Sequence, residues 1–374
     1  MTTFDAASMV ELDQYIGEEI QQGNLLAAQY ALAVDGQVAQ FQSFGAATDT
    51  SRFVIFSATK TIVAMALLPL LESGAIDLAA PVARYIPEFA ANGKDRVTML
   101  QLLTMQGGFP TAQMSPRCWG TSAGRRSQFA DWTLDYSAGT GTEYHPMAAH
   151  WVIAELLETF GSRPYADIVH DLVVAPAGVG RILGSPNEPP ITVRTLGRPN
   201  VDQRALLEYF ESSDLVPLVT VAPDGLLSLN NPLAQAAAIP AGGGIATAAD
   251  VALIYQSFIH NSAAALPSAW LRDATSTIRN GSINRSDGAP ANRTIAGIVG
   301  GTDRFAKHRW FPATPQAFGH PGAGGQLCWL DHQSGISFSF LHDTLHADSI
   351  VENRRCCRVN ELAMACVRGS VPVV

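Results

Sequence analysis

Ser57 and Lys60 stand three residues apart in Phe53-Val54-Ile55-Phe56-Ser57-Ala58-Thr59-Lys60, at the head of an apolar run that reaches Leu71. A short strand-like lead-in followed by a helix puts residues three apart on one face, so the hydroxyl and the amine point into one volume. The helix continues Ile62-Val63-Ala64-Met65-Ala66-Leu67-Leu68, apolar on nearly every side, and is expected to be buried. Burial disfavours the ammonium, and a lysine made less basic can take a proton from a neighbouring hydroxyl. The chain has only three lysines, Lys60, Lys94 and Lys307, and takes most of its positive charge from arginine. A lysine at this position is therefore a specific choice of side chain. The same spacing also fits an N-capping serine followed by a lysine that snorkels to water.

The elements that must hold this pair follow from the pattern on either side. A surface helix is expected over Val10 to Gln22, then two β-like runs, Ala27 to Val34 and Gln37 to Phe44, joined by the hairpin signal Asp35-Gly36. The Ser57 helix is expected to run to a cap at Gly74, with Pro69 bending its last turn. From Ile76 to about Pro290 the pattern is helices and loops. Helices are expected over Thr98 to Met105, Met147 to Phe160 and Val251 to Ile259, the last opened by the capping box Thr247-Ala248-Ala249-Asp250. Long loops over Pro110 to Gly124 and Gly184 to Asn200 are of the kind that line substrate sites. The β signal returns at Thr294 to Val299, Gln326 to Leu330 and Ile336 to Leu341, with a turn at Asp331 to Gly335 and a closing helix from Ser349 to Val367. Strands thus sit at both ends of the chain, with a helical block between them.

Composition narrows the class. Of 374 residues, 47% are hydrophobic and 15% charged, which suits a folded enzyme and argues against extended disorder. The net charge of −9, with no dense Lys/Arg run, sets nucleic acid aside as a partner. No stretch approaches the roughly 18 uninterrupted apolar residues of a membrane span. The amino-terminal Met1-Thr2-Thr3-Phe4-Asp5 has no basic region and no signal-like apolar core. The five cysteines, Cys118, Cys328, Cys356, Cys357 and Cys366, are odd in number and lack zinc-ligand spacing, so they read as reduced thiols of a cytoplasmic protein. The histidines show no metal spacing, and no cofactor is called for.

Three further stretches share a resemblance with Ser57-Ala58-Thr59-Lys60. Glu72-Ser73-Gly74-Ala75-Ile76-Asp77-Leu78 with Tyr85-Ile86-Pro87-Glu88-Phe89, Ala138-Gly139-Thr140-Gly141-Thr142-Glu143-Tyr144, and Phe318-Gly319-His320-Pro321-Gly322-Ala323-Gly324-Gly325 follow in order. With Gly242-Gly243-Gly244, the stretch from about Phe53 to Leu341 resembles the penicillin-recognising serine hydrolases: class C β-lactamases, DD-peptidases and the family VIII esterases related to them. The resemblance implies an α/β (α+β) fold, an antiparallel sheet flanked by helices and built from both chain ends. Residues 1–56 and 290–374 would form that α/β sub-domain, and the mostly helical insert, 57–289, would carry the nucleophile helix. The active site would lie between them.

The resemblance also assigns roles. Ser57 would be the nucleophile of an acyl-enzyme, and Lys60 and Tyr144 would share the proton work. The backbone N–H groups of Ser57 and of Ala323, on the strand after His320-Pro321-Gly322, would form the oxyanion hole. Gly322 would admit the substrate carbonyl, and His320, in the place of the β-lactamase Lys-Thr-Gly lysine, could bond Tyr144 or a substrate oxygen. Tyr136 competes with Tyr144. Two departures bear on substrate: Pro146 stands where β-lactamases have an asparagine two residues after the tyrosine, and His320 replaces the lysine. Both remove groups that grip a β-lactam, which favours a small-molecule ester over an amide. The turn that is usually His-Thr-Ser-Gly reads Met105-Gln106-Gly107-Gly108. Acyl transfer, amide hydrolysis and a non-catalytic binding relative are the alternatives. A literal Gly-x-Ser-x-Gly at Gly120 to Gly124 lacks the flanking strand and helix of a nucleophile elbow and reads as a surface loop.

Overall fold

The computed structural model describes residues 3–184, 189–210, 223–261, 263–303, 305–308, 311 and 314–368. At its centre lie two strands buried on both faces, β1 (Ala27–Val34) and β6 (Ile336–His342), paired antiparallel from Val34↔Ile336 to Ala28↔His342. The hairpin partner β2 (Gln37–Gly45) lies outside β1, and β3 (Ile298–Val299), β4 (Ala317–Gly319) and β5 (Leu327–Asp331) complete a six-stranded sheet in the order β2-β1-β6-β5-β4-β3. Every neighbouring pair is antiparallel. The period of two sorts β6 between two cores. Phe338 and Phe340 pack with Leu12 and Ile16 of α1 (Ala6–Gln21) and with Val359 and Leu362 of the C-terminal helix Ser349–Ala365. On the other face Ser337 and Ser339 donate to the Ala252 and Ala248 carbonyls of the helix Ala248–His260. Gln29 of β1 accepts from Ala248 N–H at the start of that helix.

Several expected elements differ. The Ser57 helix is not continuous to Gly74: a 3₁₀ turn, Phe56–Ala58, leads into α2 (Thr59–Met65), the chain breaks at Ala66-Leu67, and a short helix, Leu68–Glu72, begins with Pro69 in its first turn. Proline lacks the N–H that an interior position would use, so it starts a helix here instead of bending one. The helix expected from Thr98 to Met105 is only Met99–Leu103, with Thr98 as its cap in a capping box with Gln101. Of Thr294 to Val299 only Ile298–Val299 pairs, because Thr294 turns its hydroxyl back onto Ala296 and Gly297 N–H. The loop expected at Gly120 to Gly124 instead starts the helix Ser122–Asp131, capped by Thr121. Part of the Gly184 to Asn200 loop, 185–188, lies outside the described residues, while Arg194–Leu196 pairs in parallel with Thr344–His346.

Candidate active site

A two-residue ladder sets the nucleophile segment in place. Phe53–Val54 pairs with Ile245–Ala246, Ile55 N–H donates to Gly244 O at 2.9 Å, and Gly244 N–H donates to the Thr59 hydroxyl at 3.0 Å. The residue before the serine, Phe56, is buried and held at φ 46°, a backbone conformation that non-glycine residues adopt at a cost. The 3₁₀ turn runs straight into α2, which sets Lys60 one turn beyond Ser57 on the same side, with Nζ 3.1 Å from Ser57 Oγ. Nζ also donates to the Ala241 carbonyl at 2.6 Å, on the glycine stretch ahead of the ladder. Lys60 is 1% exposed, and burial lowers its pKa against the opposing pull of Tyr144.

Tyr144 arrives from the segment ahead of α3 (Ala148–Gly161), its hydroxyl 2.8 Å from Ser57 Oγ. The turn Met105-Gln106-Gly107-Gly108 braces that segment through its backbone: Glu143 N–H donates to Met105 O and Gly139 N–H to Gln106 O. The imidazole of His145 accepts from Phe109 N–H at 3.1 Å. The polar side chains of the usual turn are thus replaced by main-chain contacts and one histidine. Tyr136 does not reach the serine; its ring lies under the Arg285 guanidinium at 4.1 Å, and burial pushes its hydroxyl up to about 12.

His320 follows β4 with its ring 5.7 Å from that of Tyr144, but it does not hydrogen-bond the tyrosine. Its Nδ1 faces the Pro321 carbonyl at 2.9 Å and its buried Nε2 has no partner. Burial first, then the nearby Arg293 and Lys60 charges, hold it neutral, so it does not supply the charge of a motif lysine. Ala323 is not on a strand. β4 ends at Gly319, and Ala323 occupies a turn closed by Gly322 N–H donating to Gln326 O at 2.9 Å. Gly322 is required for backbone approach: a Cβ there would overlap the Ile55 carbonyl, two residues before Ser57. This contact sets the Ala323 turn beside the nucleophile segment.

Two groups escaped the sequence reading. Ala241 contributes only a carbonyl, and Arg293, 7% exposed, lies with its guanidinium carbon 5.2 Å from the Tyr144 ring centre. No local pattern marks either, since both come from distant segments. Ser122 of the Gly-x-Ser-x-Gly match donates to Glu155 at 2.5 Å and serves the start of its helix. The arrangement of Ser57, Lys60 and Tyr144 could deprotonate the serine, attack a carbonyl and return the proton to a leaving group.

The fold is that of the β-lactamase-type hydrolases. Residues 12–355 match the model of the Beta-lactamase family, and the chain belongs to that family. It is 27% identical over 325 residues to the esterase/β-lactamase LipL of Mycobacterium tuberculosis, covering 78% of this chain and 69% of LipL. Among solved structures, a penicillin-binding-protein homologue from Caulobacter crescentus superposes with a TM-score of 0.75 at 20% identity, over 98% of this chain and 99% of the other. A family VIII carboxylesterase gives 0.75 at 18% identity, over 96% and 98%. At those identities the likeness is one of fold. Among the described residues no helix is long and apolar enough to cross a membrane, and none of the five cysteines is in a disulfide.

Proposed function

We propose that the protein is a serine esterase that cleaves a small-molecule ester through an acyl-enzyme on Ser57. The observation that carries this is the single hydroxyl of Ser57 held between the Lys60 amine and the Tyr144 hydroxyl, at 3.1 and 2.8 Å. In the acylation step Oγ bonds the acyl carbon, its proton passes to the Lys60–Tyr144 pair, and the carbonyl oxygen gathers charge at the N–H groups of Ser57 and Ala323. As the carbon–alkoxide bond breaks, the pair returns the proton to the departing oxygen. Water then repeats the sequence and frees the acid. Ester is favoured over lactam because Pro146 offers no side-chain donor and His320 is neutral, leaving little to hold a β-lactam's amide and carboxylate. The paired esterase and β-lactamase designation of LipL supports keeping amide cleavage as the second reading. The proposed working place of the enzyme is the cytoplasm, on the strength of five cysteines held outside disulfides.

The test is intact-protein mass after brief mixing with a short-chain p-nitrophenyl ester. An acyl adduct in the wild type that is absent from Ser57→Ala and present in Ser122→Ala is expected. An adduct lost only in Ser122→Ala would overturn the assignment.

A further inference from the structure

Arg293 is a buried arginine on which Asp287 acts through its charge without clasping it. Among the described residues no carboxylate forms an ion pair with it, whereas the buried Arg125 is clasped by Glu155 and Glu158. Its backbone is fixed: Arg293 exchanges N–H···O bonds with Asn280 and accepts from Arg279 N–H. The Asn280 amide in turn donates to Thr104 O and to the hydroxyl of Thr142, two residues before Tyr144. The guanidinium is therefore held against the tyrosine by a short, rigid route.

Its surroundings are basic. With Lys60, His150 and His320 it lines a cavity of about 10 Å³, room for roughly one water. Lys60 Nζ and the guanidinium carbon each lie 5.2 Å from the Tyr144 ring centre. The charged and titratable groups around it are Lys60 from α2, Tyr144 and His145 from the segment before α3, His150 from α3, His320 after β4, and Asp287 from its own loop. All three histidines are held neutral, chiefly by burial. Lys60 can lose its charge and His320 has none, so the guanidinium alone remains positive throughout the reaction.

We propose that Arg293 is a positioning residue for acylation: its permanent charge, in one cavity with Lys60 and against the Tyr144 ring, sets the pH at which Lys60 can take the proton of Ser57. The inference rests on the esterase reading. A fixed cation in the same cavity favours the neutral Lys60 amine, adding to the burial that already makes it less basic. In doing so it takes over, from a different segment of the chain, the positive charge that His320 does not provide.

The experiment is the pH profile of the acylation rate, followed by p-nitrophenol release, in wild type, Arg293→Met and Arg293→Lys. Expected for Arg293→Met is an acid limb moved up by about one pH unit, roughly tenfold slower acylation at neutral pH, and recovery toward the wild-type rate at high pH. Arg293→Lys restores most of the limb. A loss that is uniform at every pH, particularly with a fall in Tm, would make Arg293 a structural residue and overturn the proposal. So would an unmoved limb with a loss confined to 4-acetoxybenzoate relative to phenyl acetate, which would make Arg293 a holder of anionic substrates. Ser57 adduct formation in the wild type with no change on Arg293→Met sinks this inference alone; absence of the adduct sinks the esterase reading with it.

Discussion

At the scale of single residues, the site depends on how one hydroxyl is flanked. Lys60→Met leaves Ser57 without the amine at 3.1 Å, and Tyr144→Phe removes the hydroxyl at 2.8 Å. Each is expected to slow acylation by about 10² to 10⁴-fold, the usual weight of a positioned proton acceptor, with Tm little changed for Tyr144→Phe. Stopped-flow p-nitrophenol release checks this, and a Tyr144→Phe enzyme at full speed would remove the tyrosine from the mechanism. Ser57, Lys60 and Tyr144 were legible because each sits in a short motif whose spacing survives in sequence. Rarity of lysine was a weaker guide than it looked. Lys94 is also buried, yet it only ties the carbonyls of Ala91 and Trp132 together. Arg293 and the Ala241 carbonyl could not be read, because folding alone brings them to Lys60 and Tyr144.

At the scale of elements, the site is held by close main-chain approaches, and these were the least legible features. The sequence marks Gly322 for the approach of a substrate carbonyl, but nothing local shows that it must abut Ile55 or that Pro69 begins a second helix. Gly322→Ala should push the Ala323 turn off Ile55 and Gln326, lowering stability by about 1–3 kcal/mol through overpacking. If Ala323 N–H is the oxyanion donor proposed above, displacing it should also cut kcat by about 10²-fold or more. Steady-state kinetics beside a urea melt separates the two effects; a destabilised variant with normal kcat would remove the turn from the oxyanion site. The capping box behaved as read. Thr247 and Asp250 exchange side chain-to-backbone bonds at 3.0 Å, and Thr247→Ala should cost about 1 kcal/mol in the same melt. Length and the turn signals beside them made β1 and β6 readable, with eight and seven residues, whereas β3 and β4 have two and three residues and are too short to declare themselves.

At the scale of the whole molecule, both chain ends meet in one sheet, and the polar groups this encloses set its response to acid. His145, His150, His320 and His342 are buried and neutral, each kept so first by burial, with His145 brought down to about 4 and the other three held well below the ordinary imidazole range. In the unfolded chain the same groups titrate near ~6.5. The folded state therefore binds fewer protons below that pH. The stability these groups contribute is complete above about 6.5 and is lost as pH falls toward their folded values. Glu352 runs the other way: burial raises its carboxyl to about 7, so its contribution is present in acid and lost as pH rises through neutrality. Between pH 7 and 5 the four histidines lose their contribution while the single carboxyl of Glu352 regains its own, so the balance is a loss of stability in acid. Tm should be level above pH 7 and fall steeply between pH 6.5 and 5. Glu352→Gln removes the opposing proton, so it should raise Tm at pH 8 and steepen the acid fall. A Tm that holds constant from pH 7 to 5 in the wild type would mean that these imidazoles take up protons in the folded state, and that water reaches them where the packing now excludes it.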